Sequence, residues 1–260
     1  MLRRVTATRY ITPLREGGSL PALVEADDGE LYVLKFRGAG QGVKALIAEL
    51  VAGEIARALT LRVPELVLVD LHPELGRNEP NPEIRDLLRA SVGLNLGVRY
   101  LPSSFAYNSL LEPPLDPELA SAIVWFDAYV TNVDRTPRNV NMLIWQNDLW
   151  LIDHGAALYV HHDWLNYQER AKSPFSLIKQ HSLLKLAGDL PGANHRLAPR
   201  LPAERLAAIV ALVPEEWLAG EERFAGPDEH RHAYVEYLTS RLAAAPVFVQ
   251  EAVHARTQLL

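Results

Sequence analysis

Asp134 and Asn139 stand five residues apart in a polar segment, and Asp153 follows 14 residues after Asn139. Two carboxylates and a carboxamide in that order suit phosphoryl transfer from ATP. The first carboxylate orients the attacking oxygen, and the second, with the carboxamide, holds magnesium on the phosphates. The same chemistry needs a cation on the α- and β-phosphates, fixed by a carboxylate from a neighbouring helix. Lys35 and Glu49 supply such a pair upstream. A glycine turn, Gly17-Gly18-Ser19, would cover the phosphates with backbone N–H groups.

Taken singly, each feature has a plainer reading. A lone Lys on a strand is usually a solvated edge residue. Asp and Asn are common in loops, and Gly17 and Gly18 could serve only to connect a hairpin. Glu54 competes with Glu49, because it falls nearer the middle of the apolar face of its helix. The weight lies in the conjunction: Lys35, Glu49, Asp134, Asn139 and Asp153 occur in the order the chemistry needs, each in a suitable element.

The elements that position these residues can be read from pattern. Val5 to Leu14, Ala22 to Ala26 and Leu31 to Phe36 read as an antiparallel three-stranded start, with Asp27-Asp28-Gly29 as a hairpin turn. Period two in the third strand puts Lys35 on one face with Leu31 and Val33, and Tyr32, Leu34 and Phe36 on the other. After the Gly-rich break at Gly38 to Gly42, a helix is predicted from Val43 to Leu59. One side of it carries the small residues Ala45, Gly53 and Ala56 around Glu49, which permits close backbone approach. Leu66 to Val69 is a further strand, and His72 to Pro82 a surface loop. Residues 83–104 show no clear period, but Val98 to Leu101 before Pro102-Ser103-Ser104 reads as an extended connector. Asp116-Pro117 caps a helix running to about Thr131, and a hairpin from Met142 to Ile152 delivers Asp153-His154-Gly155. The remainder reads as several helices separated by Gly and Pro, and His161-His162-Asp163 as a surface loop without further metal ligands.

Asn132-Val133-Asp134-Arg135-Thr136-Pro137-Arg138-Asn139 resembles the catalytic loop of the HipA-like kinase family, relatives of the type II phosphatidylinositol 4-kinases within the protein-kinase-like superfamily. Ile152-Asp153-His154-Gly155 is similar to that family's metal-binding segment, Tyr32-Val33-Leu34-Lys35-Phe36 to its nucleotide Lys strand, and Ala48-Glu49-Leu50 to its helix Glu. The resemblance spans roughly residues 12–160. It implies an α+β, bilobal kinase fold: an antiparallel-sheet N-terminal lobe with one main helix over 1–97, a connector over 98–104, and a mostly helical C-terminal lobe over 105–260. It also implies ATP and Mg2+ in the interlobe cleft, with Asp134 catalytic, Asn139 and Asp153 on the metal, and Lys35 and Glu49 on the nucleotide. Val98 to Leu101 would offer backbone groups to adenine, and the acceptor would be a hydroxyl, Ser/Thr of a protein first. Thr136 stands where relatives usually have His, and a Lys two residues after the catalytic Asp is missing, which leaves Arg135 or Arg138 to meet the γ-phosphate. These departures open the alternative of a weak or inactive pseudokinase acting as a nucleotide-binding or protein-interaction module. An aminoglycoside-type phosphotransferase shares the fold but expects His-Gly directly before the catalytic Asp, where this chain has Asn132-Val133.

Composition agrees with a site of hard oxygen donors. The 260 residues contain no Cys, which excludes disulfides, Cys-ligated zinc, iron–sulfur clusters and thiol nucleophiles. Asp and Glu outnumber Lys and Arg, 32 to 26, a net charge of −6 that does not suit a dedicated nucleic-acid binder. The longest apolar run, Leu206 to Val213, is far short of the roughly 20 residues that span a bilayer. With no secretory signal pattern at the start, the cytoplasm is expected.

Overall fold

A computed structural model describes residues 2–14, 20–40, 42–77, 79–110 and 115–259. Strands β1 (Arg4–Pro13), β2 (Ala22–Ala26) and β3 (Leu31–Lys35) pair antiparallel in sequence order. Helix α1 (Val43–Ala58) follows, then β4 (Leu66–Leu71), α2 (Pro82–Ala90) and β5 (Gly93–Arg99). The order β1-β2-β3-β5-β4 closes into a barrel, because the start of β1 runs parallel to β4, Val5 opposite Val69. Closure leaves no open sheet edge. Its interior is the set that period two selected: Tyr32, Leu34 and Phe36 are buried with Val5, Val24 and Val69, while Lys35 and Val33 face outward. Gly97 is needed at the crossing of β5 with β4, since a Cβ there would meet Val69 at 2.7 Å and Val67 at 2.9 Å.

Two segments differ from the expectation. The polar stretch after β4 contains a short 3-10 turn, Pro73–Gly76, and α2 begins at Pro82 behind an Asn81 cap that accepts the N–H of Glu83 at 3.0 Å. The aperiodic residues 83–104 form all of α2 but its first residue and the whole of β5, which pairs with β3 and β4 on both sides. Buried on both faces, β5 has no alternation to read.

Helix α1 is buried nearly all round, including Glu49. A Cβ on Gly53 would meet Leu66 at 2.7 Å, so the small-residue stripe does allow the helix to sit tightly on β4. β6 (Phe105–Ala106) then leads towards α3 (Pro117–Tyr129), capped by Asp116, and the hairpin β7 (Met142–Trp145) and β8 (Asp148–Leu151). Gln146 and Asn147 both have positive φ, as a two-residue turn of this twist requires. Helices α4 (Tyr167–Ala171), α5 (Leu190–Leu197), α6 (Ala203–Val210), α7 (Glu215–Leu218), α8 (Pro227–Ala243) and α9 (Ala245–Thr257) complete a sheet-rich N-terminal and helical C-terminal arrangement. The two regions are tied through α1, which packs on α6 and α7, and through the Trp217 indole, which donates to the Leu94 carbonyl at 3.1 Å. Lys44–Glu221 and Arg37–Glu216 ion pairs reinforce that contact.

Candidate active site

Four of the elements meet at one cleft of about 660 Å3, whose walls include Val33 and Lys35 of β3, Val98 of β5, Leu101, Asn139 and Asp153. Lys35 lies between two carboxylates, with its Nζ 2.6 Å from Asp153 Oδ1 and 3.5 Å from Glu49 Oε2. Burial works against its charge, but Glu49 and Asp153 outweigh that and push Lys35 up to about 12. Burial likewise penalises the Glu49 carboxylate, yet Lys35 and the hydrogen bonds from His154 hold it well below the usual carboxylate range. Glu54, the competitor, is paired instead with Arg57 on the same helix.

The 14-residue gap between Asn139 and Asp153 is closed by the β7–β8 hairpin, which folds back so that the Ile152 N–H donates to the Asn141 carbonyl at 3.1 Å. Asp153 itself has φ +55°, a left-handed conformation unusual for a residue with a Cβ. That turn presents its carboxylate to the cleft while the next N–H, of His154, donates to Glu49 Oε2 at 2.9 Å. The His154 ring adds a second bond, Nδ1 to Glu49 Oε1 at 3.3 Å, and is fully buried edge-on to Phe126.

In the loop before the hairpin, Asp134 accepts from Asn139 Nδ2 at 2.6 Å and from Asn141 Nδ2 at 3.3 Å. Partial burial raises its pKa, with the Asp153 charge adding to the effect against the two amide donors. Thr136 closes the loop: its N–H donates to the Asp134 and Asn139 carbonyls, both at 3.0 Å, and its Oγ1 accepts from the Asn139 N–H at 3.3 Å. With Nδ2 engaged by Asp134, Asn139 keeps its carbonyl oxygen for a ligand. Asp153 and Asn139 thus present hard oxygens to the cleft, a donor set that fits magnesium. Among the described residues no cluster of three or more His, Asp and Glu forms a ready-made metal cage, so any ion here would share its coordination with phosphates or water.

Beneath the loop lies a buried network that motif reasoning missed. Asp127, near the end of α3, accepts from Arg135 Nε at 2.6 Å, Asn132 Nδ2 at 2.8 Å and His181 Nε2 at 2.8 Å. His181 Nδ1 accepts the Leu183 N–H at 3.0 Å, so the ring proton is on Nε2, facing Asp127. Burial opposes the Asp127 charge, but Arg135 and His181 hold its pKa far below the usual carboxylate range. Arg135 also bonds the carbonyl of Asn141, and it is 1% exposed. It is therefore not free to meet a γ-phosphate, and of the two cations considered only Arg138 is exposed. No sequence signal marks Asp127 beyond its place two residues before the end of α3.

Gly17, Gly18 and Ser19 lie outside the described residues. Val98 lines the cleft but belongs to β5, between Val33 and Leu66, so its side chain and not its backbone faces a ligand. The Tyr100 N–H is taken by the Leu31 carbonyl, whereas the Leu101 N–H makes no hydrogen bond among the described residues. His161 is buried, not a surface loop residue: its Nδ1 meets the Tyr234 hydroxyl at 3.0 Å.

A family model described as HipA-like kinase matches residues 8–248 of the chain. Among solved structures the chain is similar to the Helicobacter pylori proinflammatory kinase CtkA, with 15% identity, 100% of both chains covered and a TM-score of 0.60. It is also similar to the Golgi casein kinase with Mn/ADP bound, with 11% identity over 94% of this chain and 74% of that one and a TM-score of 0.54. At these identities the likeness speaks for the fold. No curated protein matches the chain by sequence.

Proposed function

The chain belongs to the HipA-like kinase family, and on that premise we propose that it is a cytoplasmic, ATP- and magnesium-dependent kinase that phosphorylates a hydroxyl, first a Ser or Thr of a protein. One observation carries the reading: Lys35, Asn139 and Asp153, up to 118 residues apart in the chain, line one cleft, with Glu49 3.5 Å behind Lys35 and Asp134 hydrogen-bonded to Asn139 at its edge. The Golgi casein kinase, whose structure holds Mn/ADP, supports a nucleotide with a divalent ion at such a site.

In this reading Leu101 offers its N–H to adenine, and Val33 and Val98 flank the base. Lys35, held by Glu49, moves its ammonium from Asp153 to the α- and β-phosphates. Magnesium on Asp153 and Asn139 would neutralise charge on the phosphates, replacing the cation that Asp153 holds in Lys35. Asp134 accepts the proton of the acceptor hydroxyl as its oxygen bonds to the γ-phosphorus and the bond to the ADP oxygen breaks. Its raised pKa favours taking that proton.

Thermal unfolding with ATP, with and without magnesium, tests the site, since a ligand of the folded state stabilises by RT ln(1 + [L]/Kd). Stabilisation that requires magnesium is expected, together with turnover of labelled ATP that is lost in Asp134→Ala and Asp153→Ala. Turnover surviving both substitutions overturns the reading. A pseudokinase is the second reading, favoured by the burial of Arg135 against Asp127, and ATP binding without turnover would establish it.

A further inference from the structure

The catalytic loop is a wall shared by two cavities. Asn139 and Asn141 line the nucleotide cleft, while Thr136, Pro137, Arg138 and Val140 line a second groove of about 1090 Å3. Its other walls come from Tyr107, from the segment 179–185 and from Leu259 beyond the end of α9. The groove exceeds the usual volume of a small-molecule pocket, roughly 300–1,000 Å3. None of its lining residues is Asp or Glu, whereas Arg138, Lys179 and Lys185 all belong to it, and all three are exposed. None of the three has a carboxylate partner among the described residues. Elsewhere Arg3, Arg4, Arg9 and Arg37 each hold one. In a chain of net charge −6, three cations around one groove with no carboxylate partner among the described residues are a local reversal of sign.

We propose that this groove binds the phosphate acceptor and that the acceptor is an acidic polypeptide segment. Its hydroxyl-bearing residue would reach across Thr136 to Asp134, with flanking carboxylates on Arg138, Lys179 and Lys185. The part concerning phosphate transfer rests on the kinase reading; the part concerning binding does not. Size favours several residues of extended chain, and Tyr107, Val140 and Leu259 supply apolar contact for side chains between the charges. Two of the three cations are Lys, compact point charges that match single carboxylates without the planar fork suited to phosphates.

A labelled peptide with one Ser between Glu residues tests the assignment by fluorescence anisotropy on the full chain, beside the same peptide with Gln or Lys in place of Glu. In parallel, stabilisation by ATP and magnesium monitors the nucleotide site. The Glu peptide is expected to bind best and to weaken with salt. In Lys179→Glu/Lys185→Glu its affinity should fall roughly tenfold, as two exposed attractions become repulsions, and the Lys peptide should then be preferred. The two lysines are exposed, and each single Ala variant provides a milder control with the same direction of effect. Equal binding of the Glu and Gln peptides, or a double variant that binds the Glu peptide as before, overturns the proposal. So does capture of phosphatidylserine vesicles through the same lysines without binding of the Glu peptide. Loss of the ATP response with retained Glu-peptide binding overturns the kinase reading alone.

Discussion

The carboxylate of Glu49 holds His154 twice, by the backbone N–H at 2.9 Å and by ring Nδ1 at 3.3 Å, while its Oε2 lies 3.5 Å from Lys35. One buried side chain on α1 thus aligns both the cation of β3 and the segment that carries Asp153. In Glu49→Ala the Lys35 charge and two buried N–H groups of His154 lose a partner together. Removing one member of a buried ionic set costs about 3–5 kcal/mol, so urea denaturation should show a loss of that order. Glu49→Gln, which keeps an acceptor, should be less destabilised but should still lose most ATP-induced stabilisation.

The Asp127–Arg135 pair is fully buried and also holds Asn132 and His181. Asp127→Asn leaves a guanidinium buried without its counter-charge and is expected to destabilise by about 3–5 kcal/mol. Arg135→Lys cannot reproduce the bonds to Asp127 and to the Asn141 and Ile152 carbonyls, so it should also be destabilised. Chemical denaturation of both variants checks this, and a change below about 0.5 kcal/mol would contradict the role of the network.

Asp134 predicts opposite effects on activity and stability. Asp134→Asn should slow phosphate transfer by about 10²–10⁴-fold, the contribution of a positioned general base. Its folded pKa is raised, so the native state holds the proton more firmly than the unfolded chain, and ionisation at neutral pH costs stability. The Asn variant should therefore be at least as stable as the parent near pH 7 while nearly inactive. Activity of the parent should fall as pH drops through the raised value.

Histidine burial predicts acid sensitivity above the carboxylate range. Burial, with His162, Lys44 and His230 close by, keeps His161 neutral far below the ordinary histidine range, and burial also lowers His230. The unfolded chain takes up protons at both sites below about pH 6.5, while the native state does not until its lower values are reached. The unfolded state then binds more protons, so unfolding free energy should fall as pH drops below about 6.5. Urea titrations between about pH 5 and 7.5 measure the slope, which should shrink in His230→Phe. A flat profile in the parent would contradict the assignment.

Much of this site was legible one residue at a time. The alternation of β3 assigned Lys35 to the face opposite Tyr32 and Leu34, and the Pro117 and Asp116 pair marked the start of α3. These are local signals, carried by period and by capping chemistry. Glu49 was harder, since α1 is buried nearly all round and its helical wheel offers no polar face on which to rank it against Glu54. β5 was missed for the same reason, being covered on both faces.

Residue types, their order and their local periods were enough to determine the kinds of group this protein brings to phosphate chemistry and the elements that carry most of them. The tertiary structure decided which groups remain free. Arg135 and Arg138 are both arginines of one loop, yet packing of α3 beneath that loop spends the first on Asp127 and leaves the second exposed beside Lys179 and Lys185. Burial and pairing depend on contacts between segments distant in the chain, such as Asp127 with His181 54 residues away, and a charge does not record its partner in its own sequence neighbourhood.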